Sequence, residues 1–224
     1  MAQTNKTKTI ATMGMLCAIA YVLMYVTRPI PNIVAFPPLG YDPKDIIILL
    51  GGFLYGPLHA LLISVVVSLL EMVTVSTTGI IGCAMNIVST GAFVCTASFI
   101  YRKRKTLGGA VIGLTVGVIM VTIVMTLWNY ILTPFFISNE NFPVAAAREA
   151  VVKMLLPIFI PFNLFKSGIN AVLAMMMFKP VTLALCKANL IEPAIIGKRS
   201  TKIKWIFIAV MLAMSVALLL HFIL

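Results

Sequence analysis

The chain has 224 residues, of which 61% are hydrophobic and 10% are charged, and its mean hydropathy is +1.09. No soluble globular domain of this size has such a composition, so the sequence predicts an integral membrane protein. The net charge of +11 does not indicate nucleic-acid binding, because Lys and Arg residues that flank apolar segments are what the positive-inside rule produces.

Apolar segments long enough to cross a bilayer as helices, about 20 residues each, recur along the chain. Helices rather than strands are therefore expected to fill the membrane, and the predicted fold is an all-α, polytopic transmembrane bundle. The first span is predicted at about residues 10–26. Hydrophobicity continues beyond the small residues at 18–20, which favours an uncleaved span over a signal peptide.

A Pro-rich loop follows the first span, and five more spans are predicted after it. The second is short, opens with Asp42 and Asp45 and ends at Tyr55; the others cover about residues 58–75, 83–101, 108–133 and 158–185. Residues 142–156 are predicted to form a helix on the membrane surface. The chain thus divides into a six-helix substrate-binding domain (1–186), a basic cytoplasmic linker (187–204) and an additional apolar helix (205–224) that is expected to span.

Three glycines recur every fourth residue in the fifth span: Gly109, Gly113 and Gly117. Such a smooth stripe lets a neighbouring helix approach closely. It predicts helix packing rather than ligand contact.

The distribution of basic residues predicts the orientation of the bundle. When the loops are assigned alternately to the two sides, most Lys and Arg residues fall on the side of the N-terminus. This side is therefore expected to be cytoplasmic. Asn129, Lys166 and Glu71 then lie at or near the outer face.

Polar side chains inside the last two spans of the six-helix domain form the candidate site. Asn163, Lys166 and Asn170 are spaced i, i+3, i+7 on one helix face, and Asn129 lies near the outer end of the preceding span. A Lys inside a span costs about 2.5–3.5 kcal/mol on insertion scales, and such groups usually line a cavity. Amides with one ammonium suit a neutral or weakly acidic ligand that has hydroxyl or carbonyl groups and a flat apolar part. Nearby aromatic residues are expected to supply its walls: Trp128, Tyr130, Phe135, Phe162 and Phe165.

Structural roles for the same residues remain open at this point. Asn residues in membrane helices often join helices, at about 0.6 kcal/mol each, and Lys166 is near enough to its helix end to extend to the interface. Asp42 and Asp45 are expected to cap span ends. The sequence contains no Walker loop, no HExxH and no CxxC pair, so neither ATP hydrolysis by this chain nor a catalytic or metal site is predicted.

Several motifs, in order along residues 8–185, resemble the riboflavin-binding S components of the energy-coupling factor (ECF) vitamin transporters. The motifs are LGYDPKD at 39–45, FLYGP at 53–57, Asn86 after a Gly-containing loop, IVMTLWNY at 123–130 and IPFNLFK at 160–166. The resemblance implies a six-helix, multi-pass protein of a prokaryotic cytoplasmic membrane, which is not an enzyme and has no cofactor. Such a protein captures riboflavin at its outer side. Flavin mononucleotide (FMN) is a second candidate ligand, because the positive charge of Lys166 would tolerate its phosphate. It works with a membrane-embedded T component and two cytoplasmic ATPases.

The resemblance also implies roles for individual residues. Asn129, Asn163 and Lys166 match the positions that hold the vitamin, and Leu39, Tyr41 and Asn86 match positions that line the pocket. Gly14 and Ala18 stand where the family has small residues, often alanines, that contact the T component. The apolar segment at 205–224 departs from the six-helix pattern.

Other functions remain as alternatives. The chain could be an S component for a different vitamin or a free-standing small-molecule carrier. A membrane enzyme that acts on lipid or prenyl substrates is not favoured, because no pair among its six acidic residues and two histidines shares a helix face within a span.

Overall fold

The computed structural model describes residues 2–27, 41–76, 78–190 and 201–223, which form helices and no strand. The all-helical membrane fold is therefore confirmed. The helices are α1 (Ala2–Thr27), α2 (Lys44–Tyr55), α3 (Pro57–Thr74), α4 (Gly79–Arg104), α5 (Leu107–Ile131), α6 (Thr133–Ile137), α7 (Val144–Met154), α8 (Ile160–Lys187) and α9 (Thr201–Ile223).

In these described ranges, five helical segments are long and apolar enough to cross a membrane. Four of them match the predicted spans within a few residues, whereas the fifth begins at Val144, well before the predicted start at about residue 158. The five segments are Lys6–Thr27, Pro57–Thr74, Gly79–Arg104, Leu107–Ile131 and Val144–Lys187. The last of these includes α7, which leads into α8.

The second predicted span differs from the others because α2 is an interior helix. Its 12 residues extend about 18 Å, which is much less than the roughly 30 Å of a hydrocarbon core. Every residue from Lys44 to Phe53 is buried. Helices α1, α3, α4 and α8 all contact it, so α2 lies inside the bundle rather than along its surface. Gly56, at a φ of +100°, allows the turn from α2 into α3.

The predicted glycine stripe packs α5 closely against α4, as expected. A Cβ at Gly113 would lie 2.6 Å from the carbonyl oxygen of Ala97, and one at Gly117 would lie 2.9 Å from that of Phe93. Only a residue without a side chain permits this separation. The interpretation as a packing stripe is confirmed for these two glycines.

The segment predicted to form a surface helix is indeed helical over α7. A single π-helical turn, Leu155–Phe159, joins α7 to α8. Pro157 and Pro161 lie at this junction, and each lacks the N–H that an α-helical hydrogen bond requires. The position of α7 on a membrane surface stays a prediction.

Helix α9 extends the six-helix pattern of α1–α5 and α8 by one more helix, which packs against α8 and α5. Phe207, Ile208, Met211 and Ser215 of α9 are buried. At Gly168 of α8, a Cβ would lie 3.3 Å from the Ser215 hydroxyl oxygen. Residues 191–200 of the predicted linker lie outside the described residues, and the division into domain, linker and spanning helix stays a prediction.

Candidate functional site

A cavity of about 240 Å³ lies at one end of the bundle, here called the pocket end. The ends of α1, α3 and α5 and the beginnings of α2, α4 and α8 meet there. Its walls are formed by Met24, Thr27, Tyr41, Asp42, Glu71, Thr78, Gly82, Met85, Asn86, Ser89, Met125, Asn129, Phe162, Asn163 and Lys166.

Asn129 and Asn163 line the wall that α5 and α8 form, and each is 6% exposed. The Asn129 amide nitrogen donates to the Met125 carbonyl at 2.7 Å, and the Asn163 amide nitrogen donates to the Phe159 carbonyl at 2.7 Å. The Asn129 Oδ1 accepts from the Thr133 hydroxyl at 2.9 Å. Neither amide joins two of the long helices, so the interhelical role considered for them is not what the structure shows.

Lys166 lines the same wall and is half-buried. Phe162, one turn earlier on α8, is the one predicted aromatic residue that lines the cavity. The prediction for the other four, all within the described ranges, is wrong. Phe165 is buried and Trp128 packs against the core, while Tyr130 and Phe135 are exposed. Trp128, Tyr130 and Phe165 are each one residue from a cavity-lining residue, which is about 100° around the helix, and Phe135 lies on α6, which contributes no residue to the cavity wall. Proximity in sequence therefore does not bring these side chains to the cavity.

Asn170 does not line the cavity, although it shares the helical spacing of Asn163 and Lys166. It is 0% exposed, and its Oδ1 accepts from the Tyr41 hydroxyl at 2.8 Å. Its Nδ2 donates to the Asp42 carbonyl at 3.2 Å and faces the Asp45 Oδ2 at 3.4 Å. Asn170 therefore holds α8 to the segment that begins α2, which is a structural role one turn below the cavity.

A buried ammonium connects two carboxylates of the cavity wall. Lys44 is 1% exposed, and its Nζ donates to Glu71 Oε2 at 2.5 Å and also pairs with Asp42. The Asn86 amide nitrogen donates to the same Glu71 oxygen at 2.9 Å. These contacts join the beginning of α2 to the end of α3 and the beginning of α4.

The expectation that both aspartates cap helices is correct for one of them. Asp42 accepts from the backbone N–H of Lys44 at 3.1 Å. Asp45 instead accepts from the Thr90 hydroxyl at 2.7 Å and is buried between α4 and α8. Its side chain serves helix packing rather than the helix terminus.

The two titratable groups before α2 have shifted pKa values. Burial raises the pKa of the Asp42 carboxyl, but the positive charges of Lys44 and Lys166 outweigh this and hold it below its ordinary value. Burial, followed by the charges of Asp45 and Asp42, raises the pKa of Tyr41. At neutral pH Asp42 is therefore a carboxylate and Tyr41 a hydrogen-bond donor.

Of the remaining predicted residues, Tyr41 and Asn86 line the cavity, whereas Leu39 lies outside the described residues. Gly14 and Ala18 are exposed on α1, and a Cβ at Gly14 would have no atom within 4 Å. They lie on the outer surface of the bundle. Their contact with a T component stays a prediction, as does the ligand role of the cavity residues.

Sequence reasoning missed the Lys44 network. A signal was present, because Asp42, Lys44 and Asp45 directly precede the uniformly apolar run at residues 46–50. A helix that is apolar all round is buried on all sides. Charges at its first turn must then be buried with it and must find partners.

Comparison with known proteins gives a consistent picture. Residues 8–178 match the model of the family described as "ECF transporter, substrate-specific component". The chain is 26% identical to the riboflavin transporter FmnP of Bacillus subtilis over 179 residues, which are 77% of this chain and 91% of that protein. It is 28% identical to the riboflavin transporter RibU of Staphylococcus aureus, over 78% of this chain and 90% of that protein.

The fold is similar to that of a solved structure described as the S component of a bacterial ECF transporter. The TM-score is 0.61 at 25% sequence identity, with 80% of this chain and 98% of the other covered. The family match ends at residue 178, before α9 begins.

Proposed function

The chain belongs to the family of ECF transporter substrate-specific components, and from this premise we propose that it captures riboflavin for ATP-driven uptake across a prokaryotic cytoplasmic membrane. It is a transport protein rather than an enzyme. The relatives in Bacillus subtilis and Staphylococcus aureus, both riboflavin transporters, support riboflavin as the ligand.

The observation that carries the proposal is the convergence of Asn129, Asn163 and Lys166 on one cavity. Riboflavin has a flat ring with carbonyl and N–H groups and a chain of hydroxyl groups. The two amides and the ammonium offer the donors and acceptors that such a ring edge requires, while Phe162 and Met125 provide apolar surface. The hydroxyl chain has polar partners on the wall that Glu71, Asn86 and other residues of α3 and α4 form.

The proposal includes an orientation and partners. The pocket end faces outward and the N-terminus is cytoplasmic, because the basic cluster at 102–105 and Lys187 lie at the opposite end of the bundle. A T component binds the exposed surface of α1 at Gly14 and Ala18. Two cytoplasmic ATPases supply the energy, since this chain has no nucleotide-binding loop.

The test is titration of the purified protein with riboflavin, followed by quenching of flavin fluorescence. Asn129→Ala and Lys166→Ala are each expected to weaken binding at least about tenfold, which is the loss of one or two good polar contacts. Asn141→Ala and Lys153→Ala are matched controls, because both residues are exposed on the segment between α5 and α8. Their affinities should equal that of the unmodified protein.

Two results would contradict the proposal: a wild-type affinity no tighter than about millimolar, or an affinity unchanged when Asn129 and Lys166 are replaced together. Competition with thiamine, biotin or folate separates riboflavin from other vitamins. Flavin that co-purifies with the protein would give a yellow preparation.

A further inference from the structure

A second wall of the cavity differs in chemistry from the wall that carries Asn129 and Asn163. It comes from the end of α3 and the beginning of α4, and it presents the Glu71 carboxylate together with Thr78, Asn86 and Ser89. An elongated ligand that lies between the two walls therefore meets amides and Phe162 on one side and a fixed acceptor with hydroxyl groups on the other.

Glu71 is held in one orientation by two neighbouring side chains. Both of its hydrogen bonds, from Lys44 Nζ at 2.5 Å and from Asn86 Nδ2 at 2.9 Å, end on Oε2. Within the part of the chain that the structure describes, no hydrogen bond reaches Oε1. The side chain is 14% exposed and lines the cavity, so this oxygen is the acceptor that remains for a ligand.

The charges around the cavity are unevenly distributed. Asp42 and Glu71 line the cavity and share the Lys44 ammonium, while Lys166 is on the wall that α8 forms. Among the described residues that line the cavity, two carboxylates thus share one ammonium group at the α3–α4 wall. A phosphate monoester placed against the α3–α4 wall meets a carboxylate at short range in a poorly screened site, whereas a hydroxyl group can donate to the same carboxylate.

We propose that Glu71 is a specificity-determining residue, whose free carboxylate oxygen accepts a hydrogen bond from the hydroxyl chain of riboflavin and disfavours the phosphorylated form, FMN. This inference rests on the proposed function and adds the orientation of the ligand. The ring lies against Asn129, Asn163 and Phe162, and the hydroxyl chain lies against the α3–α4 wall.

The experiment compares three ligands on Glu71→Gln: riboflavin, FMN, and lumiflavin, which has the same ring with a methyl group in place of the hydroxyl chain. Lys44 and Asn86 are both donors, so the amide oxygen of the variant takes the place of Oε2 and its NH₂ group replaces the acceptor Oε1. Riboflavin affinity should fall about five- to tenfold, and lumiflavin affinity should stay within about twofold. The ratio of FMN affinity to riboflavin affinity should rise at least about tenfold. Glu149→Gln, an exposed residue on α7, is the matched control and should change none of the three.

Equal losses for all three ligands would overturn the proposal, because Glu71 would then only support the fold. An unchanged ratio of FMN to riboflavin affinity would overturn it as well.

A second variant keeps the test available where Glu71→Gln does not fold. Thr78→Lys places a positive charge on the same wall at an exposed position and must raise the ratio of FMN affinity to riboflavin affinity. If this ratio does not rise, the role proposed for Glu71 is refuted. If the unmodified protein binds no flavin, the proposed function fails. If it binds riboflavin and lumiflavin but Glu71→Gln leaves the ratio unchanged, only this inference fails.

Discussion

Lys44, which is 1% exposed, donates to the Glu71 carboxylate at 2.5 Å and so ties the first turn of α2 to the last turn of α3. The pair lies directly beside the cavity, and Glu71 is part of its wall. A buried charge of this kind is tolerated only when it is paired and hydrogen-bonded. The stability of the pocket end and the shape of the cavity therefore depend on the same contact.

Removing the Lys44 ammonium should strongly destabilise the protein. Lys44→Met leaves Asp42 and Glu71 without their shared partner, and breaking a buried pair in this way costs about 3–5 kcal/mol. Thermal unfolding in detergent, followed by size-exclusion chromatography, measures the loss. The double variant Lys44→Met/Glu71→Gln should be less destabilised than the sum of the two single variants; strict additivity would show that the two groups are not coupled.

Asn163→Ala and Asn170→Ala should separate ligand binding from stability, although the two residues lie on the same helix face. Asn170→Ala removes the contacts with Tyr41 and Asp42 and should cost about 1–3 kcal/mol, because buried partners are left unpaired. Asn163→Ala loses only a bond within its own helix, so its main effect should be weaker riboflavin binding. Thermal unfolding and fluorescence titration of both variants test this; the reverse pattern would contradict it.

Gly113→Ala should destabilise the contact between α4 and α5. The new Cβ would lie 2.6 Å from the Ala97 carbonyl oxygen, and the backbone shift that relieves such overpacking costs about 1–3 kcal/mol. Gly108→Ala is the matched control, since a Cβ there would have no atom within 4 Å. It should leave the unfolding temperature unchanged or raise it, because Ala favours helix more than Gly does.

The contact between α8 and α9 can be tested at Gly168 and Ser215. Gly168→Leu would push α9 away from α8, because even a Cβ there would lie 3.3 Å from the Ser215 hydroxyl, and the unfolding temperature should fall. Ser215→Ala should be neutral or stabilising, since the buried Ser215 hydroxyl has no hydrogen-bond partner in the described part of the chain. An unfolding temperature unaffected by Gly168→Leu would mean that α9 does not pack here.

Titration of Asp42 should contribute little to the pH dependence of riboflavin binding near neutral pH. In the folded protein the pKa of Asp42 lies below its ordinary value of 3.8. The Asp42 carboxylate therefore contributes its full stabilisation at any pH above 3.8. That stabilisation is lost only as the pH falls through the lower pKa of the folded state. Between about pH 5 and 8 the ratio of riboflavin affinities of the unmodified protein and Asp42→Asn should be constant. A ratio that changes across this range would show that Asp42 titrates there.

Much of the fold follows from the sequence because the relevant signals are local. Length and apolarity identify the membrane-spanning helices, and Pro and Gly mark most of their ends. The four-residue period of Gly113 and Gly117 predicts the close approach of a second helix. None of these inferences requires knowledge of which helix lies beside which.

The site was predictable only in part, because helical spacing shows which residues share a face and not what that face meets. Asn163, Lys166 and Asn170 share one face of α8, yet the cavity ends above Asn170, where the segment before α2 packs against the helix. The aromatic walls were predicted from proximity in sequence, but of the five aromatic residues only Phe162 lies on a helix face that lines the cavity.

The sequence by itself determined that the chain is a helical membrane protein and that Asn129, Asn163 and Lys166 are the polar groups to consider first, since an apolar solvent makes isolated polar residues conspicuous. Only the tertiary structure decided that α2 is an interior helix and that Lys44 joins Asp42 to Glu71. The physical reason is that the burial of a charge depends on the helices packed around it, and these come from distant parts of the chain.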